Sequence, residues 1–205
     1  GNQSPQAAMP ASAGIPQTYV FPGDRATAGT YDGFADTSDA TFEIWFSPDN
    51  LQGKHVSFES GGNGQGVNIE LNGRTVQFNA QHGTGSRMFT GANLRPEHTG
   101  HFNQIVGVLD RGGAGQLDLY LNGQLLDTAT VGAGFNDWSG GDAAGLGQIG
   151  GGSIAGYDNS INGNAYSDFD GQLAIYRFYQ GSLFSQSDVN DTFGATSTGN
   201  EPAAQ

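Results

Sequence analysis

The chain has no cysteine. Disulfides, thiol catalysis and Cys-based zinc sites are therefore excluded. Basic residues are nearly as scarce, with seven Lys+Arg against twenty Asp+Glu and a net charge of −13 over 205 residues. Basic patches supply most of the affinity for nucleic acid and for anionic membranes, so neither partner is expected. No apolar run reaches the ~18 residues of a membrane span, so no membrane insertion is expected. The N-terminus also lacks the basic region and apolar core of a signal peptide, and a processed, exported protein reads the same way.

Glycine is abundant, at 35 residues, and has no three-residue period, so the chain is not collagen-like. The glycines stand between short apolar runs and mark turns. Residues 1–16 are rich in Ala, Pro, Gln and Ser and read as a flexible or assembly-docked leader. Residues 17–195 read as one domain, and 196–205 as a flexible tail.

Within the domain, period-two alternation predicts strands. Thr18–Phe21 and Thr41–Phe46 are two of these, the second with Phe42, Ile44 and Phe46 on one face and Glu43 and Trp45 on the other. Others are predicted at Val56–Phe58, Val67–Leu71, Val76–Phe78, Phe102–Leu109, Leu117–Leu121, Leu125–Val131 and Leu146–Ile149. Glu59–Gly66 reads as a Gly-rich loop and His82–Pro96 as a long loop. Asn72-Gly73 and Asn122-Gly123 each join alternating segments and predict two hairpins of one design, with type I′ turns. The stretch Leu173–Tyr179 is apolar on both faces except at Arg177 and reads as a central strand whose arginine needs a carboxylate if buried. Ser185 and Asp188 have capping-box spacing, and Val189 and Phe193 are four apart, so a short helix follows. The fold class is all-β: a two-sheet antiparallel β-sandwich of jelly-roll type with one short C-terminal helix.

Phe169-Asp170-Gly171, Leu173-Ala174, Arg177 and Leu183-Phe184-Ser185 resemble the end of laminin-G-like jelly-roll domains, in the concanavalin A-like lectin and glucanase superfamily. The opening Phe21-Pro22-Gly23-Asp24, the strand Thr41–Phe46, the Leu119–Gly123 hairpin and Leu146–Gly150 fall in the matching order. The resemblance implies a structural calcium ion between the opening segment and the turn before the last strand. On this chain that means Asp24 and Asp170. It also implies a non-catalytic, secreted or cell-surface recognition and adhesion domain for a glycan or surface protein. A structural subunit of an extracellular filament, coat or virion surface, self-assembling through the N-terminal tail, is the alternative.

The superfamily's enzymes carry a Glu-x-Asp-x-x-Glu run, and this sequence has none; Glu59 and Glu70 fall in different segments. No catalytic residue is assigned. Glu97-His98 and His101 lack metal-ligand spacing and read as solvated loop residues. Gly145–Gly150 spells a dinucleotide motif but opens no helix. Trp138, Tyr157 and Tyr166, with Asp158 and Asn159, are the candidate glycan contacts, since exposed aromatics stack on sugar faces. Asn2-Gln3-Ser4 and Asn190-Asp191-Thr192 spell glycosylation sequons.

Overall fold

The structure is a computed structural model and describes residues 6–7, 19–21, 26–27, 39–62, 65–82, 86–112, 115–130, 145–147 and 167–204. One sheet, A, runs in the order β1 (Gln6–Ala7), β2 (Tyr19–Phe21), β14 (Gly171–Gln180), β4 (Ala40–Pro48), β9 (Asn103–Asp110), β10 (Gln116–Leu121) and β11 (Gln124–Thr130). The other, B, runs β3 (Ala26–Thr27), β12 (Gly145–Leu146), β5 (Lys54–Gly62), β6 (Gln65–Asn72), β7 (Thr75–His82) and β8 (Ser86–Asn93). The short β13 (Ser167–Asp168) adds to β5 in parallel. The other described pairings are antiparallel, as the sequence predicts.

The core lies between the sheets because each strand turns its apolar set inward. Phe42 of β4 shows the packing: its ring lies 5.4 Å from Phe58 and 5.8 Å from Phe78 of sheet B, and 5.2 Å from Phe178 of its own sheet. The central-strand reading of Leu173–Tyr179 holds, with β14 between β2 and β4. Its simple alternation does not. The register slips between Leu173 and Tyr176. That bulge turns Leu173, Tyr176 and Phe178 toward the core, while Ala174 and Ile175 join Trp45 on the other side.

Two loops of the sequence reading are strands. The Gly-rich stretch at 59–66 extends β5 and β6 to Gly62 and Gln65, and 86–93 within the long loop forms β8 at the edge of sheet B. Backbone pairing with β7 overrides the weak alternation of Ser86–Asn93. The two Asn-Gly hairpins also differ. Asn122 and Gly123 both have positive φ, +47° and +83°, and form the whole turn between Leu121 and Gln124. In the other hairpin Asn72 still pairs with Thr75, so Gly73 and Arg74 make the turn, and only Gly73 has positive φ, +60°. Glycine at the first turn position is the type II′ solution.

Helix α1 (Gln186–Thr196) starts at the predicted cap: Ser185 accepts the Asp188 amide, and Asp188 reciprocates. It continues through Gly194 for two more residues. Val189 is fully buried beside Val106, Val108 and Tyr120 on the outer face of sheet A, and Phe193 stacks on Trp45 at 5.9 Å with nearly parallel rings. Beyond it, 197–204 leaves the helix and returns to the sandwich, where Ala204 joins the core cluster. Composition reads this stretch as a flexible tail; the contacts of Pro202, Ala203 and Ala204 tie it down.

Candidate functional site

Trp138, Tyr157, Asp158, Asn159, Tyr166 and Asp24 lie outside the described residues, but the anchors of their segments are described. β12 pairs with β5 at Phe58 and Glu59, and β13 pairs with β5 at His55 and Val56. Both ends of the excursion 148–166 are therefore sewn side by side to one edge of β5. Gly147 donates its amide to the Ser57 carbonyl at 2.8 Å, and Phe169 donates to the Gly147 carbonyl at 2.7 Å, which closes the neck. Phe169 is buried against Phe46, 5.4 Å between rings, and fixes the return into β14. Tyr157, Asp158, Asn159 and Tyr166 belong to this excursion, and Trp138 to the connection from β11 into β12. Stretches whose two ends are held together on a rigid sheet carry binding residues in many folds.

Asp170 follows directly. It is exposed, its carboxylate accepts the Asn50 side-chain amide, and its carbonyl accepts the Asp49 amide at 3.0 Å. The next residue must be glycine. Gly171 has φ of +148°, and a Cβ there would overlap the Ser47 carbonyl oxygen. Gly171 also pairs with Phe21, which precedes the predicted ligand Asp24 by three residues in the sequence. The donor chemistry suits a hard cation: exposed carboxylates at Asp49 and Asp170 and oxygen-rich turns. Among the described residues no group of three or more His, Cys, Asp or Glu converges.

The structure also joins carboxylates that the sequence separates. On the outer face of sheet B, Glu59 stands opposite Asn68, Asn68 opposite Asn79, and Glu70 opposite Gln77. Glu59 and Glu70 are thus diagonal neighbours on one face. Asn79 Nδ2 donates to Asn68 Oδ1 at 2.7 Å, and Asn68 Nδ2 donates to Glu70 Oε2 at 3.0 Å. Glu59, Asn68 and Glu70 have no exposed surface, which suits a bonded row rather than carboxylates open to a substrate. The β5–β6 register, invisible in the sequence, makes this row.

Sheet A has its own buried carboxylate. Glu43 accepts from Arg177 Nη1 at 2.9 Å, Trp45 Nε1 at 2.9 Å, Gln104 Nε2 at 3.0 Å and the Tyr179 hydroxyl at 3.5 Å. This meets the predicted need of Arg177 for a partner. Burial, then the Glu43 carboxylate, pushes the Tyr179 phenol above its ordinary value.

His101 is exposed as expected, but His98 is fully buried. The turn Pro96–His98 folds its ring back so that Nδ1 accepts the Arg95 amide at 2.9 Å. The sequon at Asn190 sits inside α1, with the Thr192 hydroxyl donating to the Val189 carbonyl and accepting from Gln104.

Comparison with known proteins matches this architecture. No curated protein sequence matches the chain. Among solved structures, the binding domain of botulinum neurotoxin serotype G is similar in fold, with a TM-score of 0.62 and 11% identity over 82% of this chain and 39% of that one. The binding domain of botulinum neurotoxin DC, solved in complex with SialylT, gives 0.57 and 12% over 79% of this chain and 37% of that one. The type C neurotoxin, whose cell entry depends on two ganglioside molecules, gives 0.57 and 12% over 78% and 36%. The chain thus spans well under half the length of these neighbours, and the likeness is one of fold. A laminin-G-type model described as the concanavalin A-like lectin/glucanases superfamily matches residues 22–190. The chain belongs to the laminin-G-like branch of the concanavalin A-like lectin and glucanase superfamily.

Proposed function

We propose that this is a non-catalytic, extracellular or cell-surface recognition domain that binds a glycan through the excursion 148–166 and the preceding connection. The observation that carries the reading is the closed neck on β5. It holds together, on one strand edge, the two ends of the stretch that contains Tyr157, Asp158, Asn159 and Tyr166. Sugar recognition needs that combination: aromatic rings for the apolar faces of the sugar, and amide and carboxylate groups for its hydroxyls. The glycan-associated neurotoxin domains of the same fold support it by analogy. The burial of Glu59 and Glu70 supports the non-catalytic half.

A glycan array followed by calorimetry tests this. At least one glycan should bind without release of reducing sugar. Trp138→Ala, Tyr157→Ala and Tyr166→Ala should each weaken binding, at least one by roughly tenfold or more, with the sandwich still folded. Binding to no glycan, or hydrolysis of the bound one, would overturn the reading.

Calcium belongs to the same proposal as a structural ion held by Asp24 and Asp170. Calcium should raise the thermal midpoint by binding the folded state, and Asp24→Ala and Asp170→Ala should each abolish the rise. An unchanged midpoint in wild-type protein would remove calcium and leave glycan binding to stand on the loop.

A further inference from the structure

Among the described residues β11 is the last strand of sheet A and β8 the last strand of sheet B, and the two lie together along one side of the sandwich without pairing. An edge strand carries backbone donors and acceptors on its free side, ready to pair with another chain. In β8, Ser86–Asn93, alternate residues turn these groups away from β7. The segment has little protection of its own. Met88, Phe89, Thr90 and Ala92 suit pairing, Arg87 is its one charged residue, and it holds no proline. A side chain of the other sheet supplies what it lacks. The Gly91 amide, on the free side of β8, donates across the seam to Asp127 Oδ2 of β11 at 2.8 Å.

The register of β11 aims that carboxylate. Leu119 pairs with Asp127 and Tyr120 with Leu125, so Leu126 is an extra residue in the strand. A bulge of this kind re-aims the side chains beside it. Leu126 packs against the core, and the half-buried Asp127 reaches sheet B. Its other oxygen, Oδ1, accepts the Thr128 amide of its own strand at 3.0 Å. One carboxylate is thus fixed to sheet A and caps a donor of sheet B. Gly91 has no side chain to cover the edge itself, and a Cβ there would come to 3.3 Å from Thr75 Cγ2.

We propose that Asp127 is an edge guard: it denies β8 to strand addition, and the partner it excludes is the β8 strand of a second copy of this chain. Two antiparallel β8 strands related by a two-fold axis match donor to acceptor along their free sides, because the same edge serves on both copies. A strand laid there must first displace the carboxylate from the Gly91 amide and then enclose its charge without that donor. The overall charge of −13 also keeps copies apart, but salt screens that repulsion. The half-buried bond across the seam is screened much less, so the guard is the protection that persists at physiological ionic strength.

Hydrogen–deuterium exchange of the peptide covering 86–93, in physiological salt at about 5 μM and about 200 μM protein, tests the guard. Wild-type exchange there should not depend on concentration. In Asp127→Ala it should slow by about tenfold or more at the higher concentration, with sedimentation showing dimers or larger species. Asp118→Ala removes the same charge from the neighbouring strand, where the carboxylate bonds to Gln116 and Thr128, and should behave as wild type. Exchange in Asp127→Ala that is independent of concentration would overturn the proposal. Equal slowing in Asp118→Ala or in wild type would overturn it too, since net charge or another surface would then govern association. Should Asp127→Ala fail to fold, Asp127→Ser, with a shorter polar side chain, carries the same expected and contrary results.

Discussion

The outer faces of the two sheets each bury charge at their centre, and they do so in different ways. On sheet A, Glu43 accepts four donors from three strands, and α1 closes the face by stacking Phe193 on Trp45. On sheet B, Asn68 sits mid-row and links Asn79 to Glu70 through amide bonds, with Glu59 opposite it, and no second α-helix lies among the described residues. The difference separates a face closed by a helix from a sheet extended at its edge. Sheet A uses a full charge network and a helix to hold its strands. Sheet B leaves the edge of β5 to receive β12 and β13, which flank residues 148–166 in the sequence.

The largest expected effect comes from breaking the sheet A network. Glu43→Ala strands the Arg177 cation and three neutral donors, and should cost about 3–5 kcal/mol in urea unfolding. Asn68→Ala on sheet B leaves Asn79 and Glu70 each short of one bond, and should cost about 1–3 kcal/mol. A reversed order would mean that the sheet B row, not the Glu43 network, is the principal buried polar element.

The two Asn-Gly turns sharpen the contrast on a smaller scale. Asn122→Ala loses bonds to Gln104, Asn103 and Pro202 and the asparagine's tolerance of positive φ, and should cost about 1–3 kcal/mol. Asn72→Ala lies at a strand end with ordinary φ and should change stability by less than about 0.5 kcal/mol. Comparable losses at both sites would contradict the two-turn description. The smallest effect belongs to α1. Bonds from the Ser185 side chain and then its backbone hold the Asp188 carboxyl below its ordinary value of 3.8. Its capping contribution is present above that value and is lost as pH falls through the lowered one. Helix amides near Ser185 should lose exchange protection first in that range, ahead of the Glu43 strands.

The sequence made much of the scaffold legible. Alternation at Thr41–Phe46 and Leu117–Leu121, the capping box at Ser185 and the isolated Arg177 each report a local periodicity or a charge imbalance, and each was found in place. Features set by pairing were hidden. Ser86–Asn93 becomes a strand only because β7 offers it a ladder, and the β14 bulge appears only against β4. Glu59 and Glu70 meet through the β5–β6 register. His98 looked like a loop histidine because nothing local shows that the segment at 202–204 folds back over its turn. At the candidate site, residue chemistry named the aromatics, and alternation placed a strand at Leu146–Ile149 where the structure describes Gly145–Leu146, but nothing local marked Ser167–Asp168, which closes the neck by pairing with β5.

The neck also provides the most direct test of the recognition reading. Phe169 is bonded to Gly147, so a short Gly-Ser linker can replace 148–166 at little closure cost. Calorimetry with the best glycan from the array should then show no binding by the shortened chain, with its thermal unfolding still cooperative. A shortened chain that binds that glycan as tightly as the parent would contradict the account.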